Sequence, residues 1–577
     1  STRVINFAVG NMGIPGATLF ALMVINYGFP FWIALAAALV MGALIGLVTE
    51  VIVVKRLFHR PRVVLLIATV ALADFWRAVV VLTFPEVSGE QRIYPMAIGR
   101  EFTGVGGEFG GVGWAGVAAD EGILVRGTDI QTLLVVPVVA VVLGWLLTKT
   151  TFGKAISASA DNPELSRVSG INPHVVSTVV WTIGGFLATL TMILVSSGRS
   201  PGGIGNLGAF TLTNALAAAV IAGLRSFPRA MAGGIAIAFL DNVVGFNFTR
   251  DPGLATLIVF IAVIAALYWQ SRTESMGEAF TFATKVRPLS PAVRRIWWVR
   301  LMPRISMAAV LVAVVLIAWH HETLFDWADR FLWFWDEPPE AIKPSKFFLF
   351  SSVVAFAIIV ASLTVITGWS GQVSLAQAAY AGIGALTGAA ITRGVELDIG
   401  FGDTRLIDVE LAGLPALPAI VLATLFTAAF AAITGVGALR VNGVKLAIST
   451  FALALAAEIY IYRRPFFSDG GDAVVFERGW LFDWHLRDQR TYFFFCLFCL
   501  AMTILVIGRL RRSGIGRSII AVRDNSDTAS AYTVSPARMK LTAFAFAGGI
   551  AGLGGAILGN GYRQIRFVDA HSCSTTR

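Results

Sequence analysis

Apolar runs long enough to cross a lipid bilayer recur along almost the whole chain, and this feature constrains the fold more than any other. A helix needs roughly 20 apolar residues to span about 30 Å of hydrocarbon, where every backbone polar group must be paired within the segment. Only 14% of the 577 residues are charged, against about a quarter in a typical soluble domain. The sequence therefore predicts an all-α, polytopic transmembrane protein surrounded by membrane lipid.

The predicted spans number eight before residue 270 and seven after residue 304. The first set is Met12–Asn26, Phe31–Val54, Val63–Phe84, Ile130–Thr148, Val176–Ser196, Phe210–Gly223, Ala230–Asn247 and Leu254–Trp269. The second set is Ile305–Trp319, Phe347–Thr367, Val373–Thr392, Leu417–Ile433, Val444–Tyr462, Thr491–Ile507 and Leu541–Leu558. Short, glycine-interrupted spans, such as the one around Ala215–Gly223, are candidates for re-entrant or broken helices.

The charges of the loops predict one orientation, since Lys and Arg accumulate on the cytoplasmic side. Lys55–Arg62 carries four basic residues and no acid, and Arg272–Arg304 carries seven basic residues against two acids. Pro85–Asp129 has seven acids against three arginines, and His320–Lys346 has six acids against three basic residues. The spans alternate between these inside and outside loops without contradiction. We therefore expect a first half (1–269), a basic cytoplasmic linker (270–304) and a second half (305–577).

The two halves contain an internal repeat, which is the most informative pattern in the sequence. The segment from Gly153 through Asp161 and Asn162 matches the segment from Gly516 through Asp524 and Asn525 at a constant offset of 363. Two further correspondences, of Ile5–Ala8 with Val373–Ala376 and of Ile67–Ala73 with Ile448–Ala454, occur in the same order. Both Asp-Asn segments fall on the predicted inside face, so the repeat is parallel. Their Asp, Asn, Pro and Ser residues are typical of helix N-termini, and they predict a short helix outside the lipid.

Two motifs stand out, Gly368–Ala385 (GWSGQVSLAQAAYAGIGA) and Arg3–Gly10 (RVINFAVG). The first resembles the signature of one of the two permeases of the branched-chain amino acid ABC importers, and the second resembles that of the other. The resemblance implies that both permease subunits are fused in one chain in the cytoplasmic (inner) membrane of a bacterium. It also implies two separate ABC ATPase subunits and an extracytoplasmic solute-binding protein as partners, with a small amino acid as solute.

The resemblance implies roles for two sets of residues. By similarity to the family's cytoplasmic coupling segment, the ATPase-coupling residues are Gly153, Asp161, Asn162, Gly516, Asp524 and Asn525. The substrate-pathway candidates are the neutral polar residues Asn6, Gln372, Ser374 and Gln377. Hydrogen bonding between closely packed helices is the alternative role for this second set.

The chain departs from the family pattern at both ends. No span precedes Arg3, Val9 stands where the family often has histidine, and only Leu541–Leu558 follows the second coupling segment before the tail Tyr562–Arg577. These departures predict truncation at both ends, with transport competence in question.

The chemistry of the chain argues against an enzyme. The fragment Gly153–Ala155 lacks the first glycine and the hydroxyl of a phosphate-binding loop, so ATP hydrolysis is expected on a partner. No catalytic or metal-binding cluster, and hence no cofactor, is predicted; Cys496 and Cys499 lie in an apolar run without a second ligand pair. The net charge of +10 resides in loops, and nucleic acid is not an expected partner.

Two other functions remain open at this point. One is an ion-coupled secondary transporter in which Asp74, Asp241 or Glu458 carries a proton or binds sodium, because ionisable groups inside spans are costly. Arg77 lies on the same helical face as Asp74, so that pair is also consistent with simple neutralisation. The other is a truncated, nonfunctional permease. The sequence does not identify the solute.

Overall fold

The structure is a computed structural model that describes part of the chain. The described residues are 6–57, 62–84, 95, 102–103, 124–125, 127–197, 204–223, 227–248, 253–271, 296–297, 301–302, 305, 347–401, 404–438, 444–468, 473–475, 480–481, 484–485, 489–562 and 564–566. The predicted span Ile305–Trp319 and the linker 270–304 lie almost wholly outside them.

The described chain is built from helices numbered here in chain order. Up to residue 271, apart from the three-residue helical segment Lys55–Leu57, they are α1 (Val9–Met12), α2 (Ile14–Ile25), α3 (Phe31–Thr49), α4 (Arg62–Thr83), α5 (Gly127–Lys149), α6 (Thr151–Asp161), α7 (Pro163–Val168), α8 (Pro173–Ser196), α9 (Ile204–Ile221), α10 (Phe227–Asn247) and α11 (Leu254–Ser271). After residue 346 they are α12 (Phe347–Leu363), α13 (Gln377–Arg393), α14 (Ala416–Ala438), α15 (Val444–Ala456), α16 (Pro465–Ser468), α17 (Gln489–Arg512), α18 (Gly514–Asp524), α19 (Ser526–Ala531) and α20 (Pro536–Tyr562).

The prediction of a polytopic, all-α membrane protein is confirmed. Within the described residues, nine helices are long and apolar enough to cross a bilayer. In the described part of the chain, three helices continue into π-helical turns, at Glu50–Val54 after α3, Thr364–Trp369 after α12 and Ala457–Ile461 after α15. Such turns widen the helix by one residue per turn and often occur at functional positions.

Short antiparallel strand pairs occur in the connecting segments. The longest joins β3 (Val395–Phe401) to β4 (Thr404–Leu411), and its register places Glu396 opposite Glu410 and Asp398 opposite Asp408. The shorter pairs are β1 (Phe102–Thr103) with β2 (Leu124–Val125), β5 (Ala473–Val475) with β8 (Gln564–Arg566), and β6 (Trp480–Leu481) with β7 (Trp484–His485). The sequence did not predict these strands.

The chain divides into two compact units, Ser1–Gly234 and Ile235–Arg577. In the first unit, α3 packs closely along α8, and α2 packs on both. A Cβ on Gly42 would collide with Thr189, and one on Gly185 would collide with the carbonyl of Gly42. Small residues at such crossings let the backbones of membrane helices approach closely.

The second unit is organised around α20, which packs against α12, α13 and α14. Two thirds of the apolar span of α20 is buried inside the unit. Its crossing with α14 repeats the α3–α8 crossing, because Gly548 is 363 residues after Gly185 and meets Ala431 of α14. The internal repeat is therefore present in the helix packing as well as in the sequence.

The boundary between the units differs from the boundary between the sequence halves. Helix α11, which belongs to the first sequence half, lies in the second unit and packs against α15. A Cβ on Gly253, just before α11, would collide with Ile459. The division at 269–270 remains a prediction about the sequence halves, whereas the packing divides the chain at Gly234.

One helix break considered from the sequence is absent, and a break that the sequence did not predict is present. Helix α9 is continuous from Ile204 to Ile221, so the stretch around Ala215–Gly223 is not broken before its final turn. The predicted span Val373–Thr392 instead begins its helix only at Gln377. The preceding turn contains Gly371 at φ +67°, a left-handed conformation that costs glycine little, and it separates α12 from α13.

Candidate functional site

The duplicated segment folds into the same two-helix element in each half. We call α6–α7 (Thr151–Val168) the first elbow and α18–α19 (Gly514–Ala531) the second elbow. Each begins with a hydroxyl cap: Thr150 Oγ1 accepts from the Gly153 N–H at 3.1 Å, and Ser513 Oγ accepts from the Gly516 N–H at 3.3 Å. Such caps satisfy N–H groups that lack a partner within the helix.

Gly153 and Gly516 bring each elbow close to the helix before it. A Cβ on Gly153 would collide with the carbonyl oxygens of Leu146 and Leu147, and one on Gly516 would collide with the carbonyl oxygen of Leu510. Both glycines are buried. The two predicted coupling glycines therefore fix the direction in which each elbow leaves its spanning helix.

Asn162 and Asn525 form the bend of each elbow. The Asn162 Oδ1 atom accepts from the N–H groups of Glu164 and Leu165 at 3.1 and 3.0 Å. The Asn525 Oδ1 atom accepts from those of Asp527 and Thr528 at 3.1 and 2.9 Å. Both asparagines have extended backbone angles, and the N–H of each also closes the preceding helix. One residue thus ends one helix and caps the next.

The two aspartates lie differently from the prediction that the Asp-Asn pair together caps a helix. Asp161 and Asp524 are the last residues of α6 and α18, so only the asparagines cap α7 and α19. Both aspartates are exposed. Asp524 accepts from the Nε and Nη2 atoms of Arg523 at 2.9 and 2.8 Å.

The outer surfaces of the elbows differ in chemistry. In the first elbow, Leu165 and Val168 are 62% and 86% exposed. The residues 363 positions later are Thr528 and Ala531, which are also exposed but small. Two exposed apolar side chains on one short helix make the first elbow a candidate surface for binding another protein.

Asn6 and Ser374, two of the pathway candidates, occupy equivalent positions and bind the backbone. Asn6 Oδ1 accepts from the Ala8 N–H at 2.9 Å, and Ser374 Oγ accepts from the Ala376 N–H at 3.3 Å. The structure therefore gives both side chains a local capping role at the start of a membrane-entering segment.

A second pair of hydrogen bonds anchors these two segments. The Phe7 N–H donates to Thr69 Oγ1 at 3.3 Å, and the Leu375 N–H donates to Thr450 Oγ1 at 3.0 Å. These four residues come from the second and third correspondences of the repeat. Residues that the internal repeat aligns therefore make equivalent hydrogen bonds in the two halves.

Gln372 and Gln377 retain hydrogen-bonding capacity inside the second unit. Gln377 is 4% exposed and its Oε1 atom accepts from Ser362 Oγ at 2.9 Å, while its Nε2 atom is buried without a partner among the described residues. Gln372 is 7% exposed, and its Oε1 atom is likewise unpartnered. Buried polar atoms in native structures are nearly always satisfied, so these two amides are candidates to bind a polar solute.

The acids considered for ion coupling lie on three different elements. Asp74 and Arg77 are both exposed on α4, and the structure records no ion pair between them. Asp241 is half-buried on α10, and Glu458 is exposed in the π-helical turn after α15. Among the described residues, no group of three or more His, Cys, Asp or Glu side chains could hold a metal ion.

Sequence reasoning missed Glu50, which is fully buried at the start of the π-helical turn after α3. Its Oε2 atom accepts from Thr178 Oγ1 of α8 at 3.0 Å, and its Oε1 atom has no partner in the described part of the chain. The signal was present, since Glu50 is the one acid in the predicted span Phe31–Val54. An acid near the end of a span is easily read as part of the following loop.

Comparison with known proteins matches both halves of the chain. The family model described as branched-chain amino acid transport system / permease component matches residues 1–268 and 346–573. A probable branched-chain amino acid transport permease, LivH of Methanocaldococcus jannaschii, is 27% identical over 260 residues, covering 45% of this chain and 77% of the relative. The ribose import permease RbsC of Escherichia coli K12 is 28% identical over 274 residues, covering 46% and 75%.

Another similar protein is the high-affinity branched-chain amino acid permease BraD of Pseudomonas aeruginosa, which is 24% identical over 273 residues, covering 45% of this chain and 83% of the relative. No solved structure matches. All three relatives are transport permeases by name. Since the family model covers most of this chain in two repeats, the chain belongs to the branched-chain amino acid transport permease family, as a fused permease with both halves in one polypeptide.

Proposed function

We propose that this chain is the membrane component of an ATP-driven ABC importer in the bacterial inner membrane, and that its solute is a branched-chain amino acid. The observation that carries the proposal is the duplicated elbow. Both copies keep the hydroxyl cap, the buried glycine and the asparagine bend, although most of their other residues differ. Two elbows with the same geometry are suited to bind two equivalent partners. The two ATPase subunits of an ABC importer are such partners.

The elbow geometry suits the transfer of movement into the membrane. Gly153 packs the start of the first elbow on the end of α5. After the elbow, Asn172 Oδ1 caps the start of α8 by accepting from the His174 N–H at 3.1 Å. A push on the tip at Leu165 and Val168 therefore reaches two spanning helices through short, capped connections. Packed elements of this kind move as rigid bodies between discrete arrangements.

The solute assignment rests on the family and on the buried amides. Two of the three relatives reported above are named as branched-chain amino acid permeases, while the third is a ribose permease. Gln372 and Gln377 offer neutral acceptor and donor atoms, which suit a zwitterion that must bind weakly enough to leave. Recognition of the particular solute is assigned to an external binding protein.

The test is co-purification of the full chain with candidate ATPase subunits in nanodiscs, followed by ATP hydrolysis with a leucine-loaded or a ribose-loaded binding protein. We expect stable association that is lost in a Leu165→Glu, Val168→Glu double variant. A Thr148→Glu control, at the exposed end of α5 outside the elbow, should keep it. Stimulation of ATP hydrolysis by the leucine-loaded binding protein supports the amino-acid assignment. Stimulation by the ribose-loaded binding protein, and not by the leucine-loaded one, contradicts it.

Uptake without any ATPase, driven by an ion gradient, would instead establish the secondary-transporter alternative. Failure of the parent chain to bind ATPase subunits would contradict the importer proposal itself.

A further inference from the structure

Arg523, near the end of α18, connects the second elbow to the turn that carries Gln372. Its Nη1 atom donates to the carbonyl oxygen of Gly368 at 2.7 Å, and its Nε and Nη2 atoms both donate to Asp524 Oδ1. All three guanidinium nitrogens are therefore engaged, two with the elbow and one with the end of α12. The Arg523 side chain is 30% exposed and that of Asp524 is 56% exposed.

The acceptor of this bond lies at a position where a helix needs an outside donor. Gly368 belongs to the π-helical turn that ends α12, and the last carbonyl groups of a helix have no partner within it. The carbonyls of Val365 and Ile366 are used by the N–H groups of Ser370 and Gln372, respectively. Arg523 donates to the Gly368 carbonyl, two residues after Ile366, and so fixes the end of α12 shortly before the turn at Gly371.

The same turn positions the buried amides. Gly371 adopts a left-handed conformation in this turn, Gln372 follows it directly, and Gln377 begins α13. A displacement of the Gly368 carbonyl is therefore transmitted over four residues to Gln372. The predicted alternation of spans places the end of α12 on the cytoplasmic side, which is also the predicted side of the elbows. The Arg523–Gly368 hydrogen bond agrees with this, because it requires the end of α12 and the second elbow to lie on the same side.

The first elbow lacks this bond. The residue 363 positions before Arg523 is Ala160, which has no side-chain donor. The caps, the bend and the glycine are duplicated between the elbows, whereas the guanidinium is not. The hydrogen bond from Arg523 to Gly368 is therefore particular to the second elbow and is not part of the duplicated geometry.

We propose that Arg523 is a positioning residue that couples the second elbow to the Gly368–Gln372 turn, with Asp524 holding its guanidinium in orientation. This inference rests on the proposed importer function and deepens it. When an ATPase subunit moves the elbow, Arg523 carries the end of α12 with it and shifts Gln372. A planar guanidinium with two nitrogens on one carboxylate and a third on a carbonyl transmits direction better than a flexible ammonium group does. Asp524 thereby acts on Arg523 and not on the ATPase.

The experiment uses the full chain with ATPase subunits in nanodiscs and compares Arg523→Ala with a matched control, Arg517→Ala. Arg517 is an exposed arginine of the same helix, so both variants lose the same charge. For Arg523→Ala we expect ATPase binding and basal ATP hydrolysis at parent levels, but about a tenfold loss of stimulation by the leucine-loaded binding protein, equivalent to about 1.4 kcal/mol of coupling. Arg517→Ala should retain full stimulation.

Asp524→Ala and the double variant Arg523→Ala, Asp524→Ala complete a double-mutant cycle for the stimulation of ATP hydrolysis. If Asp524 acts through Arg523, its removal lowers stimulation in the parent and adds nothing in the Arg523→Ala background. Arg523→Lys, which keeps a donor for Gly368 but not the paired contact with Asp524, should fall between parent and Arg523→Ala. It also serves as the test variant if Arg523→Ala does not give a monodisperse particle.

Stimulation of Arg523→Ala equal to that of Arg517→Ala would overturn the inference while leaving the importer proposal intact. Independent, additive effects of Arg523 and Asp524 would overturn the role given to Asp524. Loss of ATPase binding in Arg523→Ala, with Arg517→Ala unaffected, would place Arg523 at the docking surface and would also overturn it. Absence of binding in the parent contradicts the importer proposal, which distinguishes the two failures.

Discussion

Replacement of Asn525 by alanine should loosen the outer helix of the second elbow. The Asn525 Oδ1 atom accepts two backbone N–H bonds, from Asp527 and Thr528. Loss of an asparagine cap costs about 1 kcal/mol. Helix α19 has only six residues, and so short a helix has little stability of its own. A local opening free energy lowered by about 1 kcal/mol raises the open population about fivefold.

Hydrogen–deuterium exchange in nanodiscs measures this opening directly. We expect about fivefold faster exchange in residues 526–531 of Asn525→Ala, and the same in residues 164–168 of Asn162→Ala, because the caps are equivalent. Asn525→Asp keeps the acceptor oxygen and should exchange as the parent does. Ser526→Ala removes an exposed hydroxyl beside the cap and serves as the control. Unchanged exchange in both cap variants would refute the view that the asparagines hold the elbows together.

Three further predictions concern stability, measured by thermal unfolding in detergent. Gly516→Ala should lower the free energy of unfolding by about 1–3 kcal/mol, because the added Cβ meets the Leu510 carbonyl oxygen. Gly514→Ala is the control, since its Cβ meets nothing within 4 Å. Equal effects of the two substitutions would contradict the close approach at Gly516. Thr533→Gly should stabilise by about 1 kcal/mol, because Thr533 has φ +66°, and Thr533→Ala should give no gain. Glu50→Gln should not lower stability, since its amide oxygen can still accept from Thr178; a drop above about 1 kcal/mol would show that the carboxylate itself is needed.

Several features of the fold and of the site could be predicted from sequence alone. Spanning segments were recognisable because a lipid-facing helix must be apolar along its whole length. The repeat was recognisable because equivalent structural tasks retained equivalent residues. The caps of α7 and α19 were predicted from the Asp-Asn segments, and the equivalence of Phe7 with Leu375 and of Thr69 with Thr450 followed from the alignment. In each case the physical requirement acts within a few residues or on a whole segment.

Other features depended on contacts between distant parts of the chain. The start of α13 at Gln377 was hidden because the residues from Val373 onward are as apolar as those of the helix. The burial of Glu50 depends on α8, which lies more than a hundred residues away. The hairpin β3–β4 also escaped prediction, because its acidic residues resembled an ordinary polar loop.

The sequence by itself determined that this chain is an α-helical membrane protein with two related halves, because hydrophobic length and the residues of the repeat are local properties. Only the tertiary structure decided which polar side chains reach distant backbone groups, as Thr69 and Thr450 do, and which keep unpartnered atoms among the described residues, as Gln372 and Gln377 do. It also decided that Arg523 reaches Gly368, 155 residues away. The reason is that a hydrogen bond depends on the distance and direction between two atoms, and for residues far apart in the chain these are set only when the helices pack.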